Sequence, residues 1–108
     1  MMNLESFQLV VERTKDRCPH AGTGDVEERA YLALALAGEA GELANSIKKE
    51  WRAGARFPDH RDHEIKDELG DILWYWVALC RVMGLSPEEV MAATASKLAA
   101  RRSEDDKA

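Results

Sequence analysis

Cysteines are few in this chain and long apolar runs are absent from it, and each of these features excludes a class of protein. The two cysteines, Cys18 and Cys80, lie far apart and in no CxxC pattern, which argues against a disulfide framework and suits a reducing compartment. No apolar stretch approaches the ~18 residues that span a bilayer, and the polar start MMNLESFQLV does not resemble a secretory signal. We therefore expect a cytoplasmic protein without a membrane partner.

Basic residues are also in the minority. The chain has 15 lysines and arginines against 20 aspartates and glutamates, for a formal net charge of -5. Binding to a nucleic acid backbone depends on a basic surface that releases counterions, so we expect no nucleic acid partner. If the ligand is a polyanion, metal ions must lie between it and the protein.

Residues that favour strands are sparse, and apolar positions recur every three or four residues, so we predict an all-α protein. The length suits one domain over residues 1–108, similar to a four-helix bundle. Proline, glycine and capping signals predict helices over about 4–18, 25–51, 61–83 and 86–102, followed by a frayed charged tail. Asp25 and Ser86 are the expected N-caps, and Gly84 is the expected C-cap residue.

The second predicted helix is unusually long. At 1.5 Å per residue it would span roughly 40 Å, more than a compact domain of this size needs, so we expect it to meet another subunit in a homodimer or homotetramer. Small residues punctuate it, namely Ala33, Ala35, Ala37, Gly38, Ala40, Gly41 and Ala44. Either a neighbouring helix packs closely there, or a substrate needs the room.

An acidic residue interrupts the apolar stripe of this helix, within LALALAGEAGELANSIKK. The stripe consists of Leu32, Leu36, Leu43 and Ile47. Glu39 stands at the i+7 position between them, and Glu42 follows one turn later. Because an ionised carboxylate in a buried stripe needs compensation, we expect Glu39 to have a functional role.

The third helix carries a second acidic pair at the edge of its apolar stripe. We expect that stripe to be Ile65, Leu69, Ile72, Trp76, Leu79 and Met83. One position earlier in the register, a row at the margin of this face consists of Glu64, Glu68, Asp71 and Tyr75. Glu64 is the member that is typical of a solvated face, so the pair that we single out is Glu68 and Asp71. Each helix thus projects two carboxylates, one helix as ExxE and the other as ExxD.

Four carboxylates brought together repel one another, so they are either protonated or held by cations. Oxygen ligands of this kind suit Mg²⁺ or Mn²⁺, whereas zinc favours Cys and His, and di-iron bundles need ExxH pairs that the chain lacks. His60 and His63 lack the HExxH spacing of zinc hydrolases, and their segment is typical of a solvated helix start. The residues themselves predict a helical site for a divalent metal.

The motifs GEAGEL (residues 38–43) and DELGDILWY (residues 67–75) resemble those of the MazG-type all-α nucleoside triphosphate pyrophosphohydrolases. The likeness extends over about 32–102 and includes the turn GLSPEEV before the last helix. It implies hydrolysis of a (deoxy)nucleoside triphosphate between the α and β phosphates, with Mg²⁺ as the cofactor and Mn²⁺ as a substitute. The metal-binding and catalytic residues that it implies are Glu39, Glu42, Glu68 and Asp71.

The same resemblance suggests residues that contact the substrate. These are Lys48, Lys49, Trp74, Tyr75, Thr94, Lys97 and Arg101. The two lysines of the second helix could instead complement the C-terminal end of that helix, and Trp74 could instead belong to the core. Thr94 stands where an asparagine is common in the family.

Two other functions are compatible with these residues. One is a phosphoribosyl-ATP pyrophosphohydrolase, which performs similar chemistry on another nucleotide. The other is a non-catalytic helical interaction module whose acidic residues bind a structural cation.

Overall fold

A computed structural model of the chain describes residues 1–54 and 62–107, except for the side chain of residue 62. Its α-helices are α1 (Leu4–Thr14), α2 (Val26–Arg52), α3 (Asp62–Val82) and α4 (Pro87–Lys107), with one 3-10 turn at Lys15–Arg17. Of the described residues, 83% are helical and none forms a strand, which confirms the all-α prediction. Within the same residues, no single helix is long and apolar enough to cross a bilayer; α3 and α4 reach the required composition only as a pair bent by 104°.

The helix ends confirm the predicted capping residues. The Asp25 side chain accepts a hydrogen bond of 2.8 Å from the backbone N–H of Glu28 at the start of α2. Ser86 Oγ accepts one of 3.3 Å from the backbone of Glu89 at the start of α4. Gly84 has a φ of 72° after α3, which a left-handed C-terminal cap requires.

Two predicted helix limits are wrong. α1 ends at Thr14 rather than at residue 18, because Cys18 must be extended before Pro19 and the intervening residues tighten into the 3-10 turn. α4 continues to Lys107, so the tail that we expected to fray is helical. An ion pair of 3.4 Å between Arg102 Nε and Asp106 Oδ1, one turn apart, supports this extension. The predicted start of α3 at residue 61 lies outside the described residues.

The helices α2 and α3 form the main packing pair, and α1 packs on α3 and also contacts α4. The core where they meet consists of Val11, Leu32, Val77 and Ala78. Glu12 links α1 to α3, because its carboxylate lies 2.6 Å from Arg81 and 2.7 Å from Lys15. Cys18 and Cys80 are free thiols, and burial raises the pKa of each.

Most of the predicted apolar stripes are buried or half-buried. The residues that confirm them are Leu32, Leu36, Leu43, Ile65, Ile72, Trp76 and Leu79. The prediction is wrong at three positions, because Ile47, Leu69 and Met83 are exposed. The inward face of α2 also includes two polar residues that lie beside the stripe, Ser46 and Glu50.

Candidate active site

Two acidic pairs face each other across the α2–α3 packing. Glu39 of α2 and Glu68 of α3 are half-buried, while Glu42 and Asp71 remain exposed beside them. Ser46 Oγ donates a hydrogen bond of 3.0 Å to Glu68 Oε1, which fixes one carboxylate of α3 against α2. The structure therefore places both acidic pairs on the two helices that form the main packing pair.

The electrostatics of Glu39 show that the four carboxylates share one region. Burial raises the pKa of Glu39 above its usual value, and the negative charges of Glu42, Asp71 and Glu68 raise it further. Hydrogen bonding to Glu42 acts in the same direction. Each acid therefore increases the cost of ionising Glu39, which is the repulsion expected of four carboxylates at one site.

The donor chemistry of this region fits a hard divalent cation. Glu39 Oε2 and Glu68 Oε2 are buried and have no hydrogen-bond partner among the described residues, so each retains a lone pair for a ligand. Carboxylate oxygens are the ligands that Mg²⁺ prefers. Among residues 1–54 and 63–107, however, no three acidic, histidine or cysteine side chains are already arranged as a complete set of metal ligands. Ligation would require these carboxylates to turn towards a common point.

A cleft of about 330 Å³ opens next to Glu39 and Asp71. One wall comes from α1 and the 3-10 turn, and the other comes from α3. The remaining lining residues are Val10, Thr14, Arg17, Cys18, Trp74 and Tyr75. The cleft thus combines an acidic end, an aromatic wall and one arginine.

The aromatic wall is held in place by contacts within the chain. Trp74 Nε1 donates a hydrogen bond of 2.9 Å to Thr14 Oγ1, and the Trp74 and Tyr75 rings meet edge to face with centroids 5.1 Å apart. Burial, followed by the neighbouring Tyr31, raises the pKa of Tyr75 to about 12. Tyr75 is therefore a neutral phenol at physiological pH, able to pack against an apolar or aromatic ligand group.

Two comparisons with known proteins found a match. Residues 27–104 match the MazG nucleotide pyrophosphohydrolase domain family. The chain belongs to this family. It is also similar to the gene 37 protein of Mycobacterium phage L5, with 31% identity over 106 residues that cover 94% of this chain and 90% of that protein. No solved structure matches the chain. The MazG match includes both acidic pairs and all of α3, whereas it leaves out α1, which supplies one wall of the cleft.

The structure brings together only part of the substrate-binding set that the MazG resemblance implies. Trp74 and Tyr75 line the cleft. Lys48 lines another groove of α2, next to Trp51, and Lys49 is exposed. The residues of α4, namely Thr94, Lys97 and Arg101, are exposed, and none of them is among the described residues that line the cleft. The roles of these basic residues and of Thr94 stay predictions.

Sequence reasoning missed three residues at or beside this candidate site. Ser46 was detectable in principle, because it lies seven residues after Glu39 on the same helical face. Thr14 and Arg17 carried no such signal, because their position depends on how α1 packs against α3. His63, in contrast, is exposed and lies 3.5 Å from Asp67, as expected of a solvated helix start, while His60 lies outside the described residues.

Proposed function

We propose that this protein hydrolyses a (deoxy)nucleoside triphosphate between its α and β phosphates, with Mg²⁺ as the cofactor, as part of nucleotide-pool housekeeping. The observation that carries the proposal is the set of four carboxylates on α2 and α3, two of which have buried oxygen atoms without a partner in the described chain. Membership of the MazG family supports the reaction class. The adjoining cleft offers room for the rest of a nucleotide.

The roles of the residues follow from their charges and positions. Glu39, Glu42, Glu68 and Asp71 would hold the cation, which when bound neutralises phosphate oxygens and makes water more acidic. Water attacks the α phosphorus, the bond from this phosphorus to the bridging oxygen breaks, and pyrophosphate leaves. We assign the orientation of that water, and the acceptance of its proton, to a glutamate of this set.

The cleft suggests how the nucleotide is oriented. The triphosphate lies at the acidic end, beside Glu39 and Asp71, where cations separate it from the carboxylates. Arg17 supplies the positive charge among the residues that line the cleft. The base packs on the aromatic wall of Trp74 and Tyr75, because every nucleobase has a face that can stack on a ring.

Product analysis tests the proposal. The full chain is incubated with Mg²⁺ and a panel of ribo- and deoxyribonucleoside triphosphates together with phosphoribosyl-ATP, and the products are separated by ion-exchange chromatography. We expect a monophosphate and pyrophosphate in equal amounts. Release of orthophosphate from intact triphosphates would contradict cleavage at the α–β bond, and turnover of phosphoribosyl-ATP alone would assign the enzyme to the alternative reaction.

Matched variants separate catalysis from folding. Glu39→Ala and Asp71→Ala should abolish turnover while the helical circular dichroism signal is retained. Glu64→Ala removes an exposed acid of α3 and should leave turnover unchanged. Mg²⁺ binding without hydrolysis of any nucleotide in the panel would favour a non-catalytic module and overturn the proposal.

A further inference from the structure

A second cavity, of about 240 Å³, lies between α1, the loop that follows the 3-10 turn, α2 and α3. We call it the Lys15 cavity. It shares Cys18 and Trp74 with the cleft, so the two spaces adjoin. None of the four acidic residues of the candidate active site is among the described residues that line it. The Lys15 cavity is therefore a separate space with its own chemistry.

The floor of the Lys15 cavity is apolar. Val11, Leu32 and Ala78 belong to the buried core, and Trp74 and Val82 pack against that core. An apolar group that enters the cavity therefore exchanges water for hydrocarbon and one indole ring, which favours binding.

The rim of the cavity carries two cations that share one carboxylate. Lys15 Nζ lies 2.7 Å and Arg81 Nη2 lies 2.6 Å from the oxygens of Glu12. Neither cation has another acidic partner within the described part of the chain. Both side chains are 34% exposed, so an anion from solution can reach them. This cluster has one positive charge in excess.

The carboxylate of the other acidic lining residue, Glu28, is engaged by the loop backbone. The N–H of Gly22 donates a hydrogen bond of 2.8 Å to Glu28 Oε2, and that of Gly24 donates one of 2.7 Å to Oε1. The φ angles of these glycines, 81° and 67°, lie in the left-handed region, which turns both N–H groups towards the carboxylate. Glu28 thereby holds the loop as a wall of the cavity. The charge that a ligand meets at the rim is the excess on Lys15 and Arg81.

We propose that the Lys15 cavity binds a small organic anion, a molecule with an apolar ring and one carboxylate. The ring packs on the apolar floor against Trp74. The carboxylate meets Lys15 and Arg81 at the rim, where a guanidinium can bind two oxygens at once. The cavity is smaller than the ~300–1,000 Å³ typical of sites for drug-sized ligands, so a nucleoside triphosphate is too large for it.

This site is distinct from the proposed nucleotide site in position and in origin. The parts of α1 and of the loop that line it precede residue 27, where the MazG match begins. Trp74 lines both spaces, so a ligand in the Lys15 cavity contacts the wall on which we place the nucleobase. Binding itself does not depend on the proposed hydrolysis.

A matched set of ligands tests the charge that the cavity prefers. Benzoate, the neutral benzamide and the cation benzylammonium share one ring, and each is titrated into the full chain without Mg²⁺ or nucleotide. Dissociation constants are taken from backbone NMR shifts. We expect benzoate to bind at least roughly 10-fold more tightly than benzamide, the value of one hydrogen bond to a charged group, and benzylammonium to bind most weakly. Equal affinities for benzoate and benzamide, tighter binding of the cation, or no binding of benzoate at millimolar concentration would overturn the proposal.

The same spectra locate the ligand. Benzoate should shift the amide signals of Gly22 and Gly24 and the indole N–H signal of Trp74, because these residues line the cavity. Gly38 and Gly70 directly precede Glu39 and Asp71, so their amides report on the candidate active site. Shifts at Gly38 and Gly70 without shifts at Gly22 and Gly24 would place benzoate in the wrong site and overturn the proposal.

Variants separate the rim from the floor. Arg81→Gln and Lys15→Gln each remove one rim cation and should weaken benzoate binding about 10-fold while leaving benzamide binding unchanged. Arg13→Gln, at an exposed position of α1, is the control and should change neither. Ala78→Leu fills the floor and should weaken both ligands.

Thermal unfolding followed by circular dichroism identifies the variants that fold, and only these are compared. Benzoate affinities that are equal in the rim variants and in Arg13→Gln would overturn the proposal. Nucleotide turnover is not a readout here, so failure of this site and failure of the proposed hydrolysis remain distinguishable.

Discussion

Ser46 Oγ donates a hydrogen bond of 3.0 Å to Glu68 Oε1, and it thereby joins α2 to α3 next to the two acidic pairs. Ser46 is buried, so this bond is shielded from competing water. It leaves the second oxygen of Glu68 buried and without a partner in the described chain. If the acidic residues hold a cation, as proposed, Ser46 orients Glu68 towards it rather than contacting substrate.

Removal of this hydroxyl should weaken Mg²⁺ binding at the proposed cation site. Ser46→Ala is expected to raise the dissociation constant for Mg²⁺ about 10-fold, the lower end of the range for lost outer contacts of metal ligands. Isothermal titration calorimetry measures this directly. Ser96→Ala, at an exposed position of α4, is the control. Equal Mg²⁺ affinity in both variants would show that the bond has only a structural role.

Glu39 should lower the stability of the folded protein at neutral pH when no divalent cation is present. Because burial and three neighbouring acids raise its pKa, its ionised form is disfavoured in the folded protein. Without a divalent cation, the stability that Glu39 contributes is fully present below its usual pKa of 4.5 and is lost as pH rises through the raised value. The Glu39→Gln variant, which cannot ionise there, should therefore melt at a higher temperature than the natural chain at pH 7 without Mg²⁺.

Addition of Mg²⁺ should reverse that order. The cation should raise the melting temperature of the natural chain, more at pH 7 than at pH 5, and should have little effect on Glu39→Gln. Differential scanning calorimetry at the two pH values provides the measurement. Glu64→Gln, an exposed neutralisation on α3, should behave like the natural chain throughout. A Glu39→Gln chain that melts lower than the natural chain without Mg²⁺ would contradict the repulsion described here.

Arg17 should affect substrate affinity rather than the chemical step. It lines the cleft shared with Glu39 and Asp71, so its loss removes positive charge from the place proposed for the polyphosphate. Arg17→Ala is expected to raise KM for the preferred triphosphate about 10-fold with kcat nearly unchanged, the pattern of lost uniform binding. Arg13→Ala, an exposed neighbour on α1, should leave both constants unchanged. If the two variants have the same KM, the phosphates do not reach Arg17.

Glu12 should contribute to stability with a pH dependence opposite to that of Glu39. Hydrogen bonding to Lys15 is the largest cause that lowers its pKa, and Arg81 acts in the same direction. The stability that it contributes is therefore present above its usual pKa and is lost as pH falls through the lowered one. Because the side chain is 44% exposed, Glu12→Gln should cost less than about 1 kcal/mol at pH 7.

Urea denaturation between pH 3 and pH 7 measures this effect. The difference in unfolding free energy between the natural chain and Glu12→Gln should shrink towards pH 3. Glu104→Gln, an exposed neutralisation on α4, provides the control for a general charge effect. A difference that grows on acidification would have the wrong sign for the ion pairs of Glu12.

The helices and the acidic pairs could be predicted because their signals are local. Asp25, Ser86 and Gly84 act within one helical turn, and the ExxE and ExxD spacings fix which carboxylates share a face. The burial of Ser46 and Glu50 could not be predicted, because polar residues beside an apolar stripe are more often exposed. Ile47 fits the stripe by its spacing, yet it is exposed while Ser46 and Glu50 are buried.

The cleft is the part of the site that sequence patterns reveal least. Its wall of Thr14 and Arg17 belongs to α1, and α1 reaches α3 only through tertiary packing around Val11. No spacing rule connects residues 60 positions apart, such as Thr14 and Trp74. Such contacts depend on the whole fold.

The two-sided character of α2 has a consequence for how this chain tolerates mutation. One side holds Glu39, Ser46 and the buried Glu50, and the other holds a row of exposed uncharged residues that runs from Val26 through Ala33, Ala40 and Ile47 to Trp51, so few positions of the helix are indifferent to replacement. In a saturation mutagenesis survey, most tolerated substitutions in α2 should fall along two narrow strips between these sides, whereas α4 beyond Arg101 should accept most residues except proline. Natural variation in this protein is then expected to accumulate at its C-terminal end.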